Sequence, residues 1–404
     1  MTNCPLYGIP NQRRSKRFCP FSLYGTIILR RREGCLTEPG REESTHEVPT
    51  FTRQHADPYA FASVGDGRMK ILLIRLMGLG DVASILVPAV TIHKQRYPDA
   101  DISALTYQAG GEIMALHPDV DDVICLSKSE WPDDLLPAVT QFMQLGESIA
   151  AKRFDLIVNL DTWFMPCFLA RALRDAGIET SGNYLNQPLE YFMKKAISGE
   201  ISQGFFDKPG NYMASTFPNM SQWTIPWWEQ HPDTGYPDFY LRACCGFSEP
   251  LQMQLPCTPD ATLLQEANGR PVVALSMQGR ADYKNYRHSG QLTEQLEARG
   301  VYCWSQFDGS VPMQTTLNRL SASQLLVTVP TSTQWLGRLA GCPSLILPGP
   351  MSPTLLDAEF WPPRRTDCQY CYRESHCPEN RSFECMEIAP EALAEQILDI
   401  VKSS

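Results

Sequence analysis

From Met69 onward, short apolar runs alternate with stretches of helical period. Residues 70–76, KILLIRL, are apolar without alternation, as suits a strand covered on both faces of a parallel sheet. A glycine turn, MGLGD at 77–81, leads into helical spacing over 82–97 that Pro98 and Asp99 end. The same reading predicts strands over 102–107, 123–126 and 154–160, with helices over 111–117 and 135–152. Residues 180–255 break this rhythm and carry Trp223, Trp227, Trp228, Tyr236, Phe239 and Tyr240 among prolines and polar residues. These rings serve either as a wall for a sugar or peptide or as packing between domains, with packing the expected use. The rhythm resumes with strands over 271–276, 301–305, 325–329 and 344–347 and helices over 289–299, 334–340 and 390–401. Two βαβ blocks around an irregular middle predict an α/β protein, with two Rossmann-like domains, 69–255 and 256–404, facing a cleft.

Composition narrows the class. With 43% hydrophobic and 20% charged residues over 404 positions, the chain is an ordinary globular protein, long enough for two cores. A net charge of −10 argues against broad nucleic-acid binding, and no run reaches the roughly 18 apolar residues of a membrane span. Residues 1–68 differ: 10 basic against 7 acidic side chains give +3, with no sustained period. They read as a disordered or over-extended N-terminal segment, or else as a basic tail for peripheral contact with a membrane surface or an acidic partner. With no apolar leader and cleavage site, a cytoplasmic location is expected.

Three turns carry candidate chemistry. Gly78 and Gly80 let a substrate approach the backbone at a strand end, and Asp81 points from there toward the cleft; standing alone, Asp81 reads as a helix N-cap. The turn is not a dinucleotide fingerprint, because GLGD runs on as VAS without the third glycine, which counts against a Rossmann oxidoreductase. Gln278, Gly279 and Arg280, with Lys284 shortly after, follow another strand and could hold a diphosphate. Thr331, Ser332 and Thr333 sit between a strand and a helix, where hydroxyls and N–H groups seat a phosphate or simply cap the helix.

Taken together, MKILLIRLMGLGDV from Met69, RYPDADI from Arg96, HPDVDDV from His117 and LAGCPSLILPGPMSP from Leu339 resemble the bacterial heptosyltransferases, the family 9 glycosyltransferases. The resemblance covers about residues 69–401 and is weakest over 180–255. It implies a GT-B fold, with the acceptor on the N-terminal domain and a nucleotide-sugar, usually ADP-heptose, on the C-terminal one. It further implies inverting transfer to an acceptor hydroxyl of lipopolysaccharide or another glycan; no catalytic metal is expected, because a lysine and a helix dipole can carry the leaving-group charge. Asp81 matches the family's catalytic aspartate, Lys284 the lysine facing the diphosphate, and Thr331–Thr333 the phosphate turn; Asp308 is a candidate for the ribose. Where the lipopolysaccharide enzymes carry Asp-Thr-Gly and then His, this chain has Pro330, Thr331, Ser332 and Trp335. Those replacements resemble the autotransporter heptosyltransferases, whose acceptors are protein Ser or Thr hydroxyls. A non-catalytic metal-binding protein on a decayed transferase fold is the remaining alternative.

Four of the 14 cysteines, Cys368, Cys371, Cys377 and Cys385, crowd one loop-like stretch. Their spacing suits a closed tetrahedral site for structural zinc, or for the iron that the autotransporter resemblance implies, with His376 as a substitute ligand; reduced thiols or two disulfides are the alternative.

Overall fold

A computed structural model describes residues 67–127, 135–223, 227–281, 284–373, 377 and 381–403. The expectations for residues 1–66, and for His376 as a ligand, fall outside these residues. Strands β1 (Lys70–Ile74), β2 (Asp101–Tyr107), β3 (Asp122–Leu126), β4 (Leu156–Asn159), β5 (Thr180–Leu185) and β6 (Met213–Ser215) form one sheet in the order β3-β2-β1-β4-β5-β6. All its pairs are parallel except β5 with β6. Strands β7 (Val272–Ser276), β8 (Tyr302–Trp304), β9 (Leu325–Thr328) and β10 (Ser344–Ile346) form a second, wholly parallel sheet in the order β10-β9-β7-β8.

The unbroken apolar runs explain the layering. On β1, Ile71 and Leu73 pack on one face against the helical stretch Val82–Ile92, while Leu72 and Ile74 pack on the other against Phe164–Leu173. In the second sheet, Val273 and Leu275 meet Leu292, Leu296 and the last helix through Leu393, Ile397 and Val401. The opposite face, Val272 and Ala274 with Leu326, joins the same apolar cluster as Ile71 and Val82, so one core runs between the two sheets.

The predicted helix over 111–117 forms earlier, as Gln108–Met114. The larger difference is in the 180–255 stretch, which supplies β5, the helix Leu189–Ile197 and β6. Strand β5, TSGNYL, lacks an apolar run because it is built around polar backbone contacts. Gly182 there has φ +85°, and a Cβ would stand 2.2 Å from the Asn159 carbonyl oxygen, so only glycine fits. The Asn159 side-chain amide then donates to the Asn183 carbonyl at 2.7 Å. Among the described residues, no helix is long and apolar enough to cross a membrane.

Candidate functional site

Both sheets reverse their strand order once. In the first, β1 lies between β2 and β4; in the second, β7 lies between β8 and β9. Ligands of open α/β sheets bind beyond the carboxyl ends of strands at such reversals. The two reversal points face one cleft of about 1100 Å³, lined from one side by Gly78, Gly80 and Asp81 and from the other by Gln278, Gly279, Arg280, Lys284, Asp308 and Thr331–Thr333. Every candidate residue of the three turns therefore lines one cavity.

On the first side, the chain leaves β1 through Arg75 and Leu76 and enters a short helical turn at Leu79–Asp81 that continues as the π-helical turn Val82–Leu86. Asp81 does not cap this helix with its side chain. Its Oδ1 instead accepts from Arg75 Nη2 at 2.8 Å and from the Tyr236 hydroxyl at 2.8 Å. Arg75 is 2% exposed, Asp161 0% and Asp81 26%, so the first two form a sealed support and only Asp81 meets solvent. Arg75 Nη1 donates to the Leu160 carbonyl at 2.6 Å and lies 3.4 Å from Asp161 Oδ1; Asp161 Oδ2 accepts from the Leu76 N–H at 2.5 Å. Burial pushes the Asp161 carboxyl up to about 7, against the opposing pull of Arg75 and the Leu76 N–H. Burial opposes the Arg75 charge too, but Tyr236, Asp81, Asp161 and Tyr240 together raise its pKa and keep it protonated.

Arg75, Asp161 and Tyr236 were not singled out as site residues by the sequence. The available signal was a charge inside or directly after an apolar strand run, in LLIRL and in LIVNLD. A buried charge requires a partner, and these two are each other's.

On the other side, the glycine of the 278–284 loop has a steric role. A Cβ on Gly279 would stand 2.9 Å from Lys284 Cβ and 3.3 Å from the Thr331 methyl, so glycine lets the lysine and the threonine turn close on each other. Asn285 Oδ1 fixes the loop by accepting from the Gly279 N–H at 2.9 Å. Thr331 is the N-cap of the helix Ser332–Ala340, its hydroxyl accepting from the Thr333 N–H at 3.3 Å. Thr333 is buried and its hydroxyl accepts from Ser276 at 3.0 Å, which leaves Thr331 and Ser332 as the more open hydroxyls of the turn. Lys284 lies beside this N-terminus on the cleft wall, a combination of positive charge and helix N–H groups that could accept an anion. Asp308 lies at the cleft edge, holding Ser310 through its N–H and hydroxyl at 3.0 and 2.5 Å.

The aromatic middle segment does both of the things open to it. Trp227 stacks on Phe239 at 4.2 Å with nearly parallel rings and is largely buried, yet it lines the cleft together with Trp223, Trp228 and Tyr236. Tyr372, next to Cys371, stacks on Trp228 at 5.2 Å, so the cysteine loop forms part of the same wall.

Cys368, Cys371, Cys377 and Cys385 are all free thiols, which answers the alternative of two disulfides. Burial, with Cys371, Cys377 and Cys368 nearby, pushes the Cys385 thiol up to about 12. Among the described residues, no three His, Cys, Asp or Glu side chains are already arranged to hold a metal ion.

No protein-family model matches the chain. A 110-residue segment is 26% identical to lipopolysaccharide heptosyltransferase 3 of Escherichia coli, covering 27% of this chain and 32% of that protein, so the match spans about a third of the relative's length. Among solved structures, a family 9 glycosyltransferase from Veillonella parvula superposes with a TM-score of 0.60 at 13% identity, covering 83% of this chain and 98% of its own. The fold is that of the family 9 glycosyltransferases. Two E. coli structures with this fold agree. The ADP-heptose lipopolysaccharide heptosyltransferase II gives a TM-score of 0.51 at 15% identity, over 83% of this chain and 99% of that one. Heptosyltransferase WaaC with ADP-2-deoxy-2-fluoro heptose gives 0.52 at 14%, over 82% and 99%. The family 9 fold and the GT-B architecture that the sequence implied are thus present.

Proposed function

We propose that this protein is an inverting glycosyltransferase that moves a sugar, heptose by preference, from an ADP-sugar to an acceptor hydroxyl. The observation that carries this reading is the placement of the Asp81 carboxylate across one cleft from Lys284 and the Thr331-capped helix. The relatives support the donor, since their structures include an ADP-heptose transferase and one holding a fluorinated ADP-heptose. Residues 69–255 would present the acceptor and residues 256–404 the nucleotide-sugar.

In this scheme the acceptor oxygen attacks the anomeric carbon from the face opposite the diphosphate. Asp81 takes the hydroxyl proton as the new C–O bond forms. The bond from the anomeric carbon to the diphosphate oxygen breaks, and its electron pair leaves with ADP. Lys284 and the N-terminus of the helix Ser332–Ala340, through the Ser332 N–H, stabilise that growing charge, while Gly78 and Gly80 admit the acceptor close to the backbone. Gln278, Gly279 and Arg280 would border the diphosphate and Asp308 the ribose. The acceptor is a glycan hydroxyl, as in lipopolysaccharide, or a protein Ser or Thr. The indole of Trp335 and the rings of Trp223 and Trp228 around the cleft favour keeping the protein acceptor as a second reading.

The four free thiols of 368–385 would be the candidate ligands of a structural zinc or iron, since a sulfur-only set suits either ion. Such an ion would cross-link the loop that carries Tyr372.

A thermal-shift screen against nucleotides tests the class. ADP and ADP-heptose should raise the melting temperature and NAD should not, because a ligand that binds only the folded state stabilises it. No shift with any nucleotide would instead favour the non-catalytic, metal-binding alternative.

A further inference from the structure

We propose that Tyr236 is a positioning residue that ties the base, Asp81, to the phosphate-seat helix Ser332–Ala340, and that together with Arg75 it selects Oδ2 of Asp81 as the oxygen that takes the acceptor's proton. The inference rests on the transferase reading of the cleft.

Two donors converge on one oxygen. Arg75 Nη2 and the Tyr236 hydroxyl both reach Asp81 Oδ1 at 2.8 Å, and they lie 2.9 Å from each other. Among the described residues, no hydrogen bond is made to Oδ2, which lies 3.9 Å from the place of a Cβ on Gly78. An oxygen already accepting two hydrogen bonds is a poor proton acceptor, so base chemistry falls to the other. Arg75 cannot swing away, because it is sealed between the Leu160 carbonyl, Asp161 and the Tyr240 ring.

Tyr236 belongs to a different part of the chain and is held from the far side of the cleft. Its backbone N–H donates to the Leu355 carbonyl at 3.0 Å. The next carbonyl, that of Leu356, accepts from Gln334 Nε2 at 2.9 Å, and Arg338 of the same helix bonds the Asp357 carboxylate. A continuous path therefore runs from the phosphate-seat helix through the 355–357 loop and Tyr236 to Asp81. The two sides of the cleft thereby share one hydrogen-bonded frame that ends at Asp81.

Tyr236→Phe is the informative variant, because it keeps the ring in the aromatic cluster and removes only the hydroxyl. ADP release from ADP-heptose, with water as acceptor, gives kcat and KM. The expected result is a fall in kcat of about tenfold or more with KM for ADP-heptose within about twofold, since a displaced catalytic group costs turnover rather than ground-state binding. A thermal-stability double-mutant cycle between Tyr236→Phe and Asp81→Ala should show coupling. Wild-type turnover in kcat for Tyr236→Phe would overturn the positioning role while leaving the transferase reading intact. Additive melting shifts would overturn the contact itself, whatever the activity. A wild-type protein that releases no ADP but shows the coupling would remove the transferase reading and the positioning role with it.

Discussion

Trp335 lies against Gly80: a Cβ added to that glycine would stand 3.2 Å from the indole Cδ1 and 3.4 Å from Ser332 Cα. The turn that carries the proposed base and the helix proposed as the phosphate seat touch at this point, so the width of the cleft is fixed by the absence of a side chain.

Gly80→Ala should therefore push the two walls apart by a few tenths of an ångström. The expected cost is about 1–3 kcal/mol of stability, as for overpacking a filled site. A lowered melting temperature accompanied by weaker ADP binding would show it; Gly78→Ala, whose Cβ has only Asp81 Oδ2 nearby at 3.9 Å, should be milder.

The proposed phosphate seat makes a paired prediction. Lys284→Ala should lower kcat for ADP release by roughly 10²–10³-fold, the range for losing one preorganised charge-stabilising donor. Gly279→Ala should mimic part of this without touching the charge, because its Cβ would stand 2.9 Å from Lys284 Cβ. Steady-state kinetics on both variants check the steric link between the loop and the lysine.

Asp161 should leave a mark on stability against pH. Its carboxyl is raised from 3.8 to about 7 in the folded protein, so the folded state holds that proton more tightly than the unfolded one. The stability associated with this group is present below about pH 4 and is lost as pH rises toward about 7. Relative to wild type, Asp161→Asn should flatten the curve across that window. Denaturant unfolding from pH 4 to 8 measures the difference.

The cysteine loop should report on the cleft through Trp228. If an ion cross-links Cys368, Cys371, Cys377 and Cys385, metal analysis of the purified protein should find about one zinc or iron per chain, and Cys385→Ser should lose it. Stripping the ion should also change tryptophan fluorescence, because Tyr372 stacks on Trp228 beside Cys371.

How much of this could be read from the sequence follows from what each residue pairs with. Strands β1, β7 and β9 were legible because burial on both faces demands unbroken apolar runs. Strand β5 was not, because Gly182 and Asn183 are there for contacts with Asn159, a partner 24 residues from Asn183 in the chain. The cleft-lining glycines, Asp81, Lys284 and the Thr331 turn were legible as strand-end motifs that all proved to line one cavity. Asp81 as a helix N-cap was the wrong local reading, since its carboxylate serves Arg75 and Tyr236 instead. Tyr236 was illegible as a site residue: it lies 155 positions from Asp81 in an irregular segment whose rings read mainly as packing.

The most direct test of the account offers labelled ADP-heptose to truncated lipopolysaccharide and to Ser/Thr peptides, comparing wild type with Asp81→Ala. The account predicts that wild type labels one of these acceptors, while Asp81→Ala labels neither and keeps the melting-temperature rise with ADP. Labelling by Asp81→Ala at a rate near that of wild type would contradict the assignment of Asp81 as the base at the centre of this cleft.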